Sequence, residues 1–248
     1  MRRVKTNLTI SIIILGLLTA LFVATTVAYF SDTKKITNVI TAGDVKITLS
    51  EAAVKRDSAG NLIEDPIADR IYGDSGNRVH DYGRIYPSLS IHKDPTIKNV
   101  GSDEAWVAFK LTFNDGVGDI RKIMGYPTGN HLDPHMLFTG KLFDEPLERG
   151  MWNGFSTALY NENYAMVQVG NPAEDKYEVY IFLLNPLESG KSVTVFDTMT
   201  IPEEWTSEEM KELSNFSIDV EAFGVQAFNL DSCFTAMTTA LPKYFNFS

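Results

Sequence analysis

The chain has 248 residues, a formal net charge of −10 and a single cysteine. That acidity excludes electrostatic attraction to nucleic acid or anionic lipid and mainly favours solubility. One thiol excludes an internal disulfide, so the fold must rest on its apolar core.

Behind Arg2, Arg3 and Lys5 run twenty-six residues without a charge, Thr6 to Ser31. A basic start, the apolar stretch Leu8 to Val23 and small residues at Thr26 and Ala28 read as a secretory leader, residues 1–28, cut after Ala28 so that Tyr29 becomes the new N-terminus. A spanning helix needs roughly 20 apolar residues, and the stretch is long enough, so an uncleaved anchor is the rival reading. Gly16, the threonines and the small residues at the end favour cleavage. In both cases the basic end stays inside and the rest lies outside. The expected localisation is secreted, extracellular or cell-surface associated, with membrane contact only through an uncleaved leader. The leader carries +3, so the 220 residues after it carry −13. That length suits one large all-β domain.

Strand patterns dominate from residue 44 onward. Val45 to Ser50 alternates, with Val45, Ile47 and Leu49 on one face. Asp57-Ser58-Ala59-Gly60-Asn61 is a turn by composition, and Asp65 to Tyr86 reads as a long surface loop. In Trp106 to Phe113 the residues Val107, Phe109, Leu111 and Phe113 face one way, Lys110 and Thr112 the other. Asp119 to Met124 suggests a short helix. Thr157 to Tyr160 and Tyr164 to Val169 read as strands, and Asn171-Pro172 as a turn. Tyr177 to Leu184 is apolar on nearly both faces, which predicts a central strand. Asn185 to Gly190 is a turn and Ser192 to Phe196 a strand. Thr206 to Leu213 opens with a hydroxyl cap and acidic residues, the signature of a helix start. Phe216 to Glu221 alternates again; Ala222 to Val225 breaks the alternation, and Gly224 suggests a bulge. A last helix spans Ser232 to Leu241, capped by Asp231, with Phe234, Met237 and Leu241 on one face and Pro242 closing it. Short strands with such turns predict an all-β antiparallel sandwich with two or three short helical insertions over residues 44–248.

Several segments resemble one known family. Ala28-Tyr29-Phe30-Ser31-Asp32, directly behind the apolar stretch, resembles the start of the TasA/camelysin proteins, exported by Gram-positive bacteria and processed by a dedicated signal peptidase of the SipW type. Asn38 to Leu49 is similar to that family's first strand, T-x-G-x-(L/V)-x-(I/L)-x-L. Tyr86-Pro87-Ser88 through Lys93-Asp94-Pro95 to Asn99-Val100-Gly101-Ser102 resembles its YPG…KDPxVxNxGS segment, with Ser88 in place of glycine. Leu184 to Gly190 is similar to its L-x-P-G-E turn, again without the glycine. Ile201-Pro202-Glu203-Glu204-Trp205 and Val225-Gln226-Ala227, each followed by a helix, resemble its C-terminal half.

The resemblance implies a jelly-roll-like sandwich and a role as a subunit of extracellular matrix, biofilm or surface fibres. In these the freed N-terminal strand of one subunit completes the sheet of the next. The implied partners are other copies of the chain in a homopolymer, the signal peptidase and an accessory anchor protein. Residues 29–43 suit such a donor: extended, β-branched, free of proline, with Tyr29, Phe30, Ile36, Val39 and Ile40 as apolar contacts and Gly43 as a hinge. A donated strand gains main-chain hydrogen bonds on an exposed edge and side-chain pockets for register. An ordinary first strand or a loose tail is the alternative.

The camelysin label implies a metallopeptidase, so the four histidines matter: His80, His92, His131 and His135. None begins an H-E-x-x-H. His131 and His135 are four apart, but Pro134 opposes the helix that would put them on one face. His131, Asp133 and His135 are therefore weak metal candidates, and His92 reads as a solvent-facing strand residue. No catalytic residue and no cofactor is assigned, so the chain reads as a non-enzyme. Glu64, Asp65, Asp69 and Asp74 form an acidic cluster without EF-hand spacing. Trp106, Trp152 and Trp205 read as packing residues rather than a sugar platform, and Cys233 as a buried small residue. A cell-surface peptidase and a monomeric surface-binding module stand beside the fibre subunit as alternatives.

Overall fold

Alternation along Ala105–Asn114 places Val107, Phe109, Leu111 and Phe113 in a buried apolar core, and this strand is the axis of the protein. The computed structural model describes residues 31–35, 38–40, 45–72, 86–114, 137–171, 176–203 and 217–247. In chain order the strands are β1 (Ser31–Lys35), β2 (Asn38–Ile40), β3 (Ile47–Glu51), β4 (Val54–Arg56), β5 (Leu62–Glu64), β6 (Ile71–Tyr72), β7 (Ser90–His92) and β8 (Thr96–Asn99). They continue as β9 (Ala105–Asn114), β10 (Phe138–Thr139), β11 (Glu148–Trp152), β12 (Phe155–Tyr160), β13 (Tyr164–Asn171), β14 (Lys176–Leu183), β15 (Ser192–Thr194), β16 (Thr198–Thr200) and β17 (Ser217–Gln226). One α-helix, α1 (Cys233–Ala240), follows.

The strands make three sheets, in the orders β11-β12-β13-β14-β9-β17-β1-β2, β10-β16-β7-β5-β4 and β15-β8-β3-β6. Among the described residues every ladder is antiparallel except the short pairing of β5 with β7. One face of the large sheet shares a single apolar core with both small sheets: Phe109, Leu111 and Ile181 meet Ile47, Ile91, Ile97 and Met199. Its other face is covered by α1 and the C-terminal segment, where Phe182, Phe223 and Val225 meet Cys233, Met237 and Phe245. The chain is thus all-β, in an arrangement compatible with a sandwich. β14 lies between β13 and β9, the central place its two apolar faces predict.

Three details differ from the sequence reading. β17 runs through Gly224 in unbroken register with β9, without a bulge. Alternation ends there because both faces are buried: Ala222 joins the main core, while Phe223 and Val225 face the helix layer. The helix is capped by Ser232, not Asp231; the Thr235 amide donates to its Oγ at 3.2 Å. The stretch 65–86, read as loop, contains β6, which pairs with β3 through Ser50 and Glu51. The strands β4 and β5 flank the Asp57–Asn61 turn, whose Asp57 carboxylate accepts from the amides of Ala59 and Asn61. The expected helices at 119–124 and 206–213 lie outside the described residues. Among the described residues no helix is long and apolar enough to cross a membrane; residues 1–28 are not among them.

Candidate functional site

β1 lies antiparallel on the edge of β17, with Ser31 opposite Val225, Asp32 opposite Gly224, Thr33 opposite Phe223 and Lys34 opposite Ala222. The chain then folds back as β2, with Thr33 opposite Ile40 and Lys35 opposite Asn38. Of the expected donor residues, Val39 and Ile40 are on β2; Tyr29, Phe30 and Ile36 lie outside the described residues, as do Thr26 and Ala28. The receiving strand is firmly held without β1. β17 pairs with β9 from Ser217 to Gln226, while β1 covers only Ala222 to Val225.

The opposite margin of the large sheet is built differently. β11 shifts register between Gly150 and Trp152, and its exposed residues include Glu148 and Arg149. A bulge and charges on an outer strand discourage further pairing.

The segment from Tyr86 to Ser102 is a set of clamps. Tyr86 to Leu89 closes as a turn, the Leu89 amide donating to the Tyr86 carbonyl at 3.1 Å. Ser88 takes φ 64, the left-handed conformation that a glycine adopts without strain. The Asp94 carboxylate accepts from the Ala52 amide at 2.6 Å and from Arg70 Nη1 at 2.7 Å. Buried Asn99 donates to the carbonyls of Asp103 at 2.7 Å and Leu187 at 2.8 Å and accepts from the Gly101 amide at 3.0 Å. It thereby ties the turn between β8 and β9 to the loop between β14 and β15.

His92 stands on the face of β7 opposite buried Ile91, with its side chain part-exposed. Its Nε2 is buried without a hydrogen-bond partner, with Asp94 Oδ2 3.8 Å away. The weak metal candidates His131, Asp133 and His135 lie outside the described residues, as do His80, Asp74 and Trp205. Among the described residues no group of three or more His, Cys, Asp or Glu side chains could hold a metal ion. Asp65 instead takes hydrogen bonds from the Ile67 amide at 3.3 Å and Lys55 Nζ at 3.2 Å, which hold its carboxyl below the ordinary value. Trp106 is buried and donates from Nε1 to the Leu230 carbonyl. Trp152 packs on Phe182 and Phe234. Cys233 is buried, its thiol donating to the Val107 carbonyl, and burial pushes its pKa upward.

No sequence pattern announced the ion cluster on the helix-side face of the large sheet. Lys110 Nζ lies 2.9 Å from Glu221 and 3.2 Å from Glu178, and the Tyr180 hydroxyl donates to Glu178 at 2.7 Å. Three adjacent central strands, β9, β14 and β17, each contribute, so the cluster forms only once those strands pair. Burial alone pulls the Lys110 pKa down, but the two carboxylates more than offset it and the net shift is upward. Burial, then Glu178, raises that of Tyr180.

Comparison with family models, with curated proteins and with solved structures gives no match to this chain.

Proposed function

We propose that the chain is a secreted structural subunit of extracellular fibres or matrix, assembling by exchange of its N-terminal strand. In this reading residues 1–28 are a leader removed on export, and the layers form a jelly-roll-like sandwich. Crossings of the chain from small sheet to large at β8–β9 and β16–β17, and back at β14–β15, favour that topology. The observation that carries the proposal is the docking of β1 on the β17 edge. A strand paired there over so short a length, next to the leader in sequence, leaves β17 still locked to β9 when it departs.

Exchange replaces the intramolecular pairing by the same pairing between copies, which makes it a low-cost route to assembly. The enthalpy changes little, so chain concentration and release of the tip decide the balance. An uncleaved leader would hold the tip at the membrane; cleavage frees it outside. The bulged, charged β11 margin leaves the β17 side as the edge suited to orderly growth.

The self-docked position of β1 also favours a second reading, a monomeric surface-binding module. Electron microscopy of the protein beginning at Tyr29 separates the two when set beside a form lacking residues 30–40. Fibres from the first and soluble, folded monomers from the second support exchange. Fibres from both exclude it, and monomers from both favour the module.

A further inference from the structure

β1 starts very close to the bond that the leader reading has cut. Only Tyr29 and Phe30 stand between Ala28 and Ser31, the first residue of β1. Three residue steps span at most about 10 Å at full extension. With β1 docked on β17, the Ala28–Tyr29 bond can lie no farther than that from the folded sheet.

The sheet is rigid at this end. Ser31 stands opposite Val225, and β17 ends one residue later at Gln226. The Ala227 amide donates to the Glu104 carbonyl at 3.0 Å, and the Leu230 amide to the Ala227 carbonyl at 3.2 Å, which closes a tight turn. Trp106 Nε1 fastens that turn by donating to the Leu230 carbonyl at 3.0 Å. Asn229 takes φ 62 within it, and Phe228 stands 74% exposed. Ser31 is thus fixed beside a tied turn with a projecting aromatic ring, not beside a loose loop.

The main chain of β1 is occupied as well. Ser31 to Lys34 pair with β17, and Thr33 and Lys34 pair with β2 on their other side. A peptidase that reads an extended chain holds it by main-chain hydrogen bonds flanking the bond it cuts, as an extended peptide adds to a sheet edge. A docked β1 leaves two residues after the bond for this. The leader reading also sets Ala28 at the outer membrane surface, where a sandwich tethered within about 10 Å crowds any second protein at the bond. The cut itself adds water across the Ala28–Tyr29 amide, leaving a carboxylate on Ala28 and an amine on Tyr29.

We infer that docking of β1 on β17 and cleavage after Ala28 exclude one another, so that the peptidase takes only precursors whose tip has left β17. This regulation rests on the leader reading. Cleavage then proceeds in proportion to the undocked fraction. Each cut yields a free donor strand and, on the same molecule, a vacant β17 edge from Ala222 to Val225. Precursors that stay docked keep that edge covered, which guards it against premature pairing.

The full chain with Ser31→Cys and Val225→Cys in a Cys233→Ala background tests this, reconstituted in lipid vesicles with a SipW-type signal peptidase. Mass spectrometry follows the cut after Ala28, with and without dithiothreitol. The bridged form is cut at least about ten-fold more slowly than the reduced form, because the bridge removes the competent state. The reduced form is cut as fast as the Cys233→Ala parent. A Gly-Ser insert of about six residues between Phe30 and Ser31 adds about 20 Å of reach and restores cutting of the bridged form. Equal rates with and without the bridge overturn the inference. So does a bridged form that stays uncut despite the insert, which would trace the loss to the bridge itself. A parent that is not cut after Ala28 overturns the leader reading and the inference with it. None of these outcomes requires fibres, so they stand apart from whether strand exchange occurs.

Discussion

Ile47 packs against the bare Cα of Gly224. A Cβ at position 224 would lie 3.0 Å from Ile47 Cγ2 and 3.3 Å from its Cδ1. The contact joins a small sheet to the strand that receives β1, since Gly224 stands opposite Asp32. Glycine there is a packing requirement, not a turn device. Gly224→Val is expected to cost about 1–3 kcal/mol, the usual price of overpacking. The check is the urea midpoint, which should fall with an unchanged slope; an unaltered midpoint would contradict the close approach.

Asn99 offers a second test of how the sandwich ends are tied. All three of its polar contacts go to backbone groups, and the side chain is fully buried. Asn99→Ala strips those partners, with an expected loss of about 1–3 kcal/mol. Hydrogen exchange should quicken in the 100–104 turn and the 184–191 loop together. Faster exchange in only one of them would show that Asn99 does not couple the two.

Lys110 neutralises the buried carboxylate of Glu221 and the part-buried one of Glu178. Lys110→Met leaves Glu178 and Glu221 side by side without it, and removing one partner of such a buried pair typically costs about 3–5 kcal/mol. A thermal midpoint within a degree of wild type would refute the cluster's structural importance.

The same cluster sets an alkaline limit. The folded pKa values of Lys110 and Tyr180 both lie above their ordinary 10.5 and 10.0. The unfolded chain therefore releases these protons first as pH rises, and stability falls with pH in that window. These contributions are fully present below about pH 10 and decline as pH rises through the folded values. Chemical denaturation across pH 8 to 11 should show the decline, shallower in the double variant Lys110→Met, Tyr180→Phe. An equal slope in both proteins would assign the alkaline loss to other groups.

Cys233 should be chemically silent. Its thiol is buried and its pKa raised, so the nucleophilic thiolate is scarce. Iodoacetamide should label it only after denaturation; rapid labelling of native protein would show that the helix layer opens readily.

Long strands were legible in the sequence because their periodicity reports burial. Val107, Phe109, Leu111 and Phe113 alternate into the core, and the doubly apolar stretch after Tyr177 is a central strand. Gly224 misled because its neighbours are buried on both faces, which erases the alternation that marks a regular strand. Pieces such as Ile71–Tyr72 and Phe138–Thr139 are too short to show a period; partners far along the chain define them. The Lys110 cluster stayed hidden for a related reason. Lys110, Tyr180 and Glu221 are scattered in sequence, and only register brings them side by side. The clamping by Asp94 and Asn99 was not legible, because their partners Ala52, Arg70 and Leu187 lie far along the chain.

Cross-linking tests strand exchange most directly. Two variants are prepared in a Cys233→Ala background, one with Ser31→Cys and one with Val225→Cys, positions that face each other across the β1–β17 pairing. Directly opposed residues of antiparallel strands have Cα atoms about 4.5–5.5 Å apart, within disulfide reach. The two proteins are mixed, allowed to assemble and oxidised. Strand exchange predicts a disulfide-linked pair of chains of the two kinds in the assembled fraction. Assemblies that contain no such pair, while a single chain carrying both cysteines closes its own bridge, would contradict it.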